Sequence, residues 1–470
     1  MALPRIKFAG GGERFQYLTH KSNDTTIRFV LDYPGLIDLE RLCEAVKRLV
    51  DQVDILHASY FIDGTSAYWK IHKELRQSDY FHLVHTDGDP TVTARSLSVL
   101  PVDPKGRCQL RCTLVLGRER SSMVLSISHL VVDGGDGKYL LIKLIESYHA
   151  PESLTIKDGS RAPEQVYKEL ELKDFKELMR MPFSSEASSA YPFPTEEPGL
   201  NRVTTAVIPR SIMDNARKKA KALGATANDL LTAACYEVYA RFPEVDRTAP
   251  VSISSMIDLR RHCTGGESAG LCNVSGGMAT VLKDGVPKVF EETLRLIAKQ
   301  SNAIKADPLA GLAGMPILHG MSRAIPIGLL LAFSDRVYGQ MMPVGLTNLG
   351  NLRSADLALG GIAPTEAVFG GPLKKKNGFQ ISIISLDGVC TLACYGQYTA
   401  EDQAHIQKRS IRWQQSLQIT PPCKKSPDAA PLGSIRAISS QPLHFLKFRY
   451  PSRMRLAATA STVFFRFLPW

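Results

Sequence analysis

Apolar residues run continuously or alternate with polar ones in a series of short segments that read as strands. Thr26–Leu31 (TIRFVL), Ala67–Ile71, Cys108–Leu116 and Met123–Ser128 (MVLSIS) fall in the first third, the last two joined by the polar turn Gly117–Ser122. Other segments repeat their apolar positions every three or four residues and predict helices. Asp38–Val50 (DLERLCEAVKRLV) opens on an Asp cap, and Lys138–His149 (KYLLIKLIESYH) has the same spacing. The second half repeats the theme with a strand at Arg202–Ile208, helices at Ser211–Leu223 and Thr226–Phe242, a strand at Pro250–Ile257 and a helix at Pro287–Ala303. Thr226-x-x-Asp229 is a capping-box start. Phe379–Ser385 and Val389–Tyr395, joined by Leu386-Asp387-Gly388, form the clearest hairpin of the chain.

Met181–Gly199 (MPFSSEASSAYPFPTEEPG) is rich in Pro, Ser and Glu and reads as a linker. The organisation is therefore α/β in two domains, each a mixed β-sheet flanked by helices. The expected divisions are 1–180, a linker at 181–200, 201–417, and a tail at 418–470.

Composition narrows the class. Of 470 residues 44% are hydrophobic and 22% charged, which excludes whole-chain disorder and a disulfide scaffold. Nine cysteines, an odd number without a CxxC pair, fit buried thiols in a reducing compartment. No signal peptide and no long apolar run is visible; Ala324–Phe333 is half the length of a membrane span and reads as a core element. A cytoplasmic protein is the expectation.

The net charge of +11 sits mostly at one end, where Pro421–Trp470 holds eight Lys and Arg against Asp428 alone. No nucleic-acid-binding motif accompanies it, so a nucleic-acid partner is not expected. The tail alternates basic and aromatic residues (Phe445–Tyr450, Phe464–Trp470) and reads as a loosely ordered extension or as a contact for an anionic membrane surface.

One stretch carries candidate chemistry: Ser128-His129-Leu-Val-Val-Asp133-Gly134-Gly-Asp136-Gly137. A strand delivers a histidine at its end, and a glycine-rich turn then opens a helix. An imidazole titrates near neutrality and can act as a general base. The glycines allow close backbone approach, and their N–H groups can stabilise an oxyanion. Asp133 either orients the imidazole or turns away to pair with an arginine. Lys374-Lys375-Lys376, ahead of the hairpin, is a candidate for phosphate binding or a solvated lysine run. Arg260-Arg261-His262-Cys263 lacks a second ligand cluster, so no metal site is expected.

H-x3-D-G resembles the active-site motif of the CoA-dependent acyltransferase superfamily. That group includes chloramphenicol acetyltransferase, the BAHD and alcohol acetyltransferases, and condensation domains of nonribosomal peptide synthetases. Further elements follow in the same order over residues 15–416: Asp103-Pro104 with Gln109–Thr113, Asp258-Leu-Arg260, Gly270-Leu-Cys-Asn273, and Leu346-Thr347-Asn348-Leu349-Gly350. Ser128 stands where condensation domains carry a further histidine, and Ala367–Pro372 lacks the Asp and Trp of the BAHD D-F-G-W-G element. The resemblance is nearest to alcohol-acetyltransferase-like or polyketide-associated members.

The resemblance implies two chloramphenicol-acetyltransferase-like domains with a tunnel along their interface. His129 would be the general base in acyl transfer from a thioester to a hydroxyl or amine acceptor. Asp133 would be structural, ion-paired with Arg260, and the Gly134 N–H with Thr347 and Asn348 would meet substrate or oxyanion. No bound cofactor or metal is implied; acyl-CoA or a phosphopantetheine thioester is the co-substrate. The expected partners are that donor, a small alcohol or amine and an acyl carrier protein, and the expected state is a monomer. The alternatives are a condensation-like enzyme on carrier-bound substrates and a non-catalytic binding protein of the same fold.

Overall fold

A computed structural model describes residues 5–417 apart from 65, 158, 163–165, 167–189, 264–269, 308, 313–314, 333–343 and 377. The strands of the first half are β1 (Arg5–Phe8), β2 (Thr26–Tyr33), β3 (Ala58–Asp63), β4 (Ser66–Ile71), β5 (Phe81–His85), β6 (Leu110–Leu116) and β7 (Ser121–Ser128). Its helices are α1 (Gly11–Leu18), α2 (Leu39–Asp51), α3 (Gln77–Tyr80), α4 (Pro90–Ser98) and α5 (Gly134–His149). The second half supplies β8 (Leu200–Ile208), β9 (Val251–Asp258), β10 (Ser275–Leu282), β11 (Val344–Leu352), β12 (Glu366–Gly370), β13 (Phe379–Leu386) and β14 (Val389–Tyr398).

The strands form a five-stranded sheet ordered β12-β2-β7-β6-β5, a six-stranded sheet ordered β10-β9-β11-β13-β14-β8, and a small sheet of β1, β4 and β3. All eight residues of β2 are buried, because each face of the strand meets a different core. Ile27, Phe29, Leu31 and Tyr33 pack with Leu42, Val46 and Leu49 of α2 and with Leu140 and Leu144 of α5. Val30 points the other way, to a core shared with Val203, Val368, Ala393 and Tyr395 of the second half. A strand covered on both faces reads as a near-continuous apolar run, and TIRFVL does so apart from Thr26 and Arg28, the latter buried with Asp24 as its ion-pair partner.

α2 matches its expected span: Asp38 accepts the Arg41 N–H at 3.0 Å and the stripe Leu42, Ala45, Val46, Leu49 and Val50 is buried. α5 begins at Gly134, four residues earlier than its apolar spacing indicates. The Asp133 carboxylate takes the Asp136 N–H at 3.0 Å, and the cap offsets the poor propensity of three glycines. At Gly137 a side chain would begin only 3.2 Å from the Phe29 ring, so the helix lies flush on β2 because nothing larger stands there. The hairpin β13–β14 turns through Asp387 and Gly388, whose φ values of 48° and 87° lie in the left-handed region a two-residue turn requires.

β12 crosses the expected division at residue 201. This strand of the second half pairs antiparallel with β2, Phe369 opposite Phe29, and completes the first sheet. Its anchor is a buried charge cluster in which Arg95 of α4 reaches Asp32 at 3.0 Å and Glu366 at 2.9 Å. Part of the expected linker, 181–189, lies outside the described residues. Beyond it Tyr191 is buried and stacks on Phe379, so this end of the segment belongs to the second core. The tail, 418–470, also lies outside the described residues. In the apolar run from Ala324, Ile327 is buried but Leu329 is exposed, so only part of it enters a core. No helix among the described residues is long and apolar enough to cross a membrane.

Candidate functional site

β7 ends at Ser128 and hands His129 to the space between the two halves. The His129 N–H donates to the Thr25 carbonyl at 2.8 Å, which fixes the main chain at the strand end. Its Nδ1 lies 2.8 Å from the Val132 carbonyl oxygen. A carbonyl only accepts, so Nδ1 carries the proton and the Nε2 lone pair is left for the cavity that His129 lines. The Asn273 amide packs beside the ring, with Nδ2 3.3 Å from Nδ1 and 3.2 Å from Gln16 Oε1, and its Oδ1 accepts from Ser275 Oγ at 2.8 Å. Burial pushes the imidazole below its ordinary value of 6.5; Asp133 opposes that shift and Lys374 adds to it. The ring is therefore neutral at pH 7 and able to take a proton.

Asp133 faces away from His129. Besides capping α5, its carboxylate accepts the Val274 N–H at 2.9 Å and two bonds from Arg260, at 3.0 and 3.1 Å. Arg260 sits in the short turn Leu259–His262 after β9, so the pair joins the two halves beneath the cavity. Asp136 completes this cluster. It accepts from Arg260 at 2.8 Å and from the Cys272 N–H at 2.9 Å, and it also pairs with Lys157. Burial and the nearby Asp133 charge raise the Asp136 carboxyl above its ordinary range. Sequence reading did not assign Asp136 to the junction; its place in the first turn of α5, three residues after the Asp133 cap, was the available signal.

The cavity holds about 210 Å³. The first half contributes Phe15 and Gln16 of α1, Ile27 of β2, His129 and Gly134; the second contributes Met256, Asn273, Thr347, Phe369 and Lys374. A side chain at Gly134 would begin 3.4 Å from Leu349 and 3.5 Å from Phe369, so the start of α5 forms part of the wall.

His129, Gly134 and Thr347 thus share one cavity, and Asp133 and Arg260 meet behind it. Asn348 does not join them. Consecutive residues of a strand face opposite sides, and Asn348 lines a separate groove with Arg210 and Asp214, accepting the Gly350 N–H at 3.0 Å. The structure therefore does not bring it to the cavity with His129. The lysine run also divides: Lys374 lines the cavity, while Lys375 is exposed and Lys376 pairs with Asp402. His262 lies 3.1 Å from the Ala310 carbonyl, and among the described residues no cluster of His, Cys, Asp and Glu is placed to hold a metal.

No family model matches the sequence, and no curated protein matches it. Solved structures match it in fold. Polyketide synthase associated protein 5 from Mycobacterium tuberculosis superposes with a TM-score of 0.63 at 14% identity, over 89% of this chain and 98% of that one. The first condensation domain of the CDA synthetase gives 0.63 at 14% identity, over 88% and 96%. The epimerization domain from the third module of tyrocidine synthetase B gives 0.61 at 14% identity, over 89% and 97%. The chain therefore has the two-domain, chloramphenicol-acetyltransferase-like fold of condensation domains.

Proposed function

We propose that the chain transfers an acyl group from a thioester to a hydroxyl or amine, with His129 as general base. The observation that carries the reading is the imidazole tied at Nδ1 to Val132 and neutral at pH 7, on the wall of a cavity between the two halves. In this reaction Nε2 takes the proton of the acceptor as its oxygen or nitrogen attacks the thioester carbon. The negative charge collects on the carbonyl oxygen, where the Gly134 N–H and the Thr347 hydroxyl act as donors. Collapse breaks the C–S bond, and Nε2 returns its proton to the leaving thiolate. Asp133 and Arg260 hold the loop and take no part in proton transfer.

The similar structures include condensation domains and a polyketide synthase associated protein, and this favours a donor carried on the phosphopantetheine arm of a carrier protein over free acyl-CoA. The test is thiol release from acyl-loaded carrier protein and from acyl-CoA, each with mixed alcohol and amine acceptors, for wild type and His129→Ala. Acceptor-dependent release, lost in a folded His129→Ala, is the expected result. Equal release by that variant would sink the mechanism, and release from acyl-CoA alone would replace the carrier-bound donor.

A further inference from the structure

Lys374 lies on the wall of the cavity with His129, and its main chain is pinned there. Its N–H donates to the Tyr395 carbonyl at 3.0 Å and its carbonyl accepts from Gln397 at 2.9 Å, both on β14. Its two neighbours are used elsewhere. Lys375 donates to the His20 carbonyl at 3.2 Å, and Lys376 reaches Asp402 at 2.6 Å. The carboxylate whose charge Lys374 feels, Asp24, is already engaged: it pairs with Arg28 and accepts the Leu373 N–H at 2.8 Å. Among the described residues no carboxylate lies within ion-pair distance of Lys374.

The cavity wall repeats the imbalance. Its polar side chains among the described residues include Gln16, Asn23, Asn273, Thr347 and Gln380, and none is Asp or Glu. A cation partly withdrawn from water with no counter-charge in reach is costly, and the cost is recovered when a ligand brings the missing anion. Burial lowers the Lys374 ammonium to about 8, which leaves it mostly charged at neutral pH.

We propose that Lys374 anchors a carboxylate carried either by the acceptor or by the acyl group being transferred, so that the enzyme acts on an acid. This rests on the acyl-transfer reading and specifies its substrate class. A carboxylate could belong to the acceptor, as in a hydroxy or amino acid, or to the acyl group, as in the half-thioester of a dicarboxylic acid. The ion pair holds that substrate at one end while its reacting atom meets His129.

The test is equilibrium binding with matched probes. On the acceptor side, 3-hydroxybutyrate and 4-hydroxybenzoate are compared with their primary amides. On the acyl side, succinyl-pantetheine is compared with butanoyl-pantetheine. Wild type should bind the acidic member of one set about tenfold tighter or more, and the set that shows it assigns the carboxylate to acceptor or acyl group. Lys374→Met should lose that preference and Lys374→Arg should keep it. The preference should also weaken above pH 8 in wild type and not in Lys374→Arg. The titratable and charged groups around Lys374 include Asp24 with Arg28, and His129 and the buried His319 on the same cavity wall; burial keeps Tyr395 on β14 protonated.

Equal binding of acid and neutral probe in both sets, no binding of either, or an undiminished preference in Lys374→Met would overturn the proposal. Thiol release separates this from the reading beneath it. If release depends on His129 but no acid preference exists, the Lys374 assignment alone falls. If the preference is present but release ignores His129, the transfer mechanism falls while the anion site stands.

Discussion

Asp133 and Arg260 stand 127 positions apart in the chain and meet through two hydrogen bonds, of 3.0 and 3.1 Å. The pair closes the loop that presents His129 from the first half onto the turn that follows β9 in the second. Asp133 is 2% exposed and also accepts two backbone N–H groups, so every lone pair it can offer is in use. Removing Arg260 leaves Asp133 and Asp136 buried side by side, and removing Asp133 leaves the Asp136 and Val274 N–H groups without an acceptor and Arg260 to Asp136 and Asp258; the cost arises there.

Asp133→Ala should therefore cost about 3–5 kcal/mol of stability, of which about 1 kcal/mol is the lost helix cap. Arg260→Met should cost a similar amount, since it leaves Asp133 beside Asp136 with Lys157 as the remaining cation. Chemical denaturation of both variants checks this. A loss below about 1 kcal/mol in each would show that the junction does not hold the halves together.

His129→Ala should keep the wild-type denaturation midpoint and lower acyl transfer by about 10² to 10⁴, the usual contribution of a positioned base. In wild type, kcat/KM should rise with pH through an inflection below 6.5 and then stay level, because the imidazole works when deprotonated and burial lowers its pKa. Lys374→Met should move that inflection upward, since it removes a positive charge that disfavours the imidazolium. An inflection that stays in place would place the two groups too far apart to interact.

Thr347 and Asn348 give opposite expectations. Thr347→Val removes a hydroxyl from the cavity wall and should lower kcat by about 10². Asn348→Ala should leave kcat near wild type and cost about 1 kcal/mol through the lost bond to Gly350. Steady-state kinetics beside a melting curve separates the two effects, and a large kcat loss in Asn348→Ala would show that β11 presents its other face to substrate.

Lys376→Met should destabilise the fold by about 3–5 kcal/mol without changing substrate affinity. Lys376 and Asp402 are both buried, their side chains 8% and 0% exposed. Burial alone would raise the Asp402 carboxyl; the Lys376 ammonium and the Thr399 N–H and hydroxyl outweigh it and hold the group below 3.8. A carboxyl depressed in the folded state adds stability above its unfolded value, and that stability is lost as pH falls through the folded one. Wild type should lose stability on acidification below about pH 4, and Lys376→Met should lose less.

The local architecture was legible because it is written in short-range pattern. The Asp38 cap, the apolar stripe of α2, the Thr226 capping box and the Asp387-Gly388 turn each depend on residues a few positions apart. His129 was legible for the same reason: a strand, a histidine and a glycine turn are adjacent in the chain. The ion pair of Asp133 with Arg260 came only through resemblance, since no local rule links residues 127 apart.

What the tertiary structure alone decided depends on faces and distant partners. β12 joins the first sheet because Glu366 finds Arg95 and Asp32, three residues that no window of sequence holds together. Thr347 reaches the cavity and Asn348 does not because a strand sends neighbours to opposite sides, and only packing says which side is which. Three consecutive lysines look equivalent on paper. One faces the cavity, one lies exposed and one is buried against Asp402, because each meets a different piece of the folded chain. By itself the sequence determined many of the elements, the caps at Asp38 and Thr226 and the histidine loop, all of which arise from neighbouring residues, while short strands such as β1, β5 and β12 carried no such local pattern. Which groups share the cavity with that histidine, and with what charge, follows from burial and long-range contact, which exist only once the two halves have closed on each other.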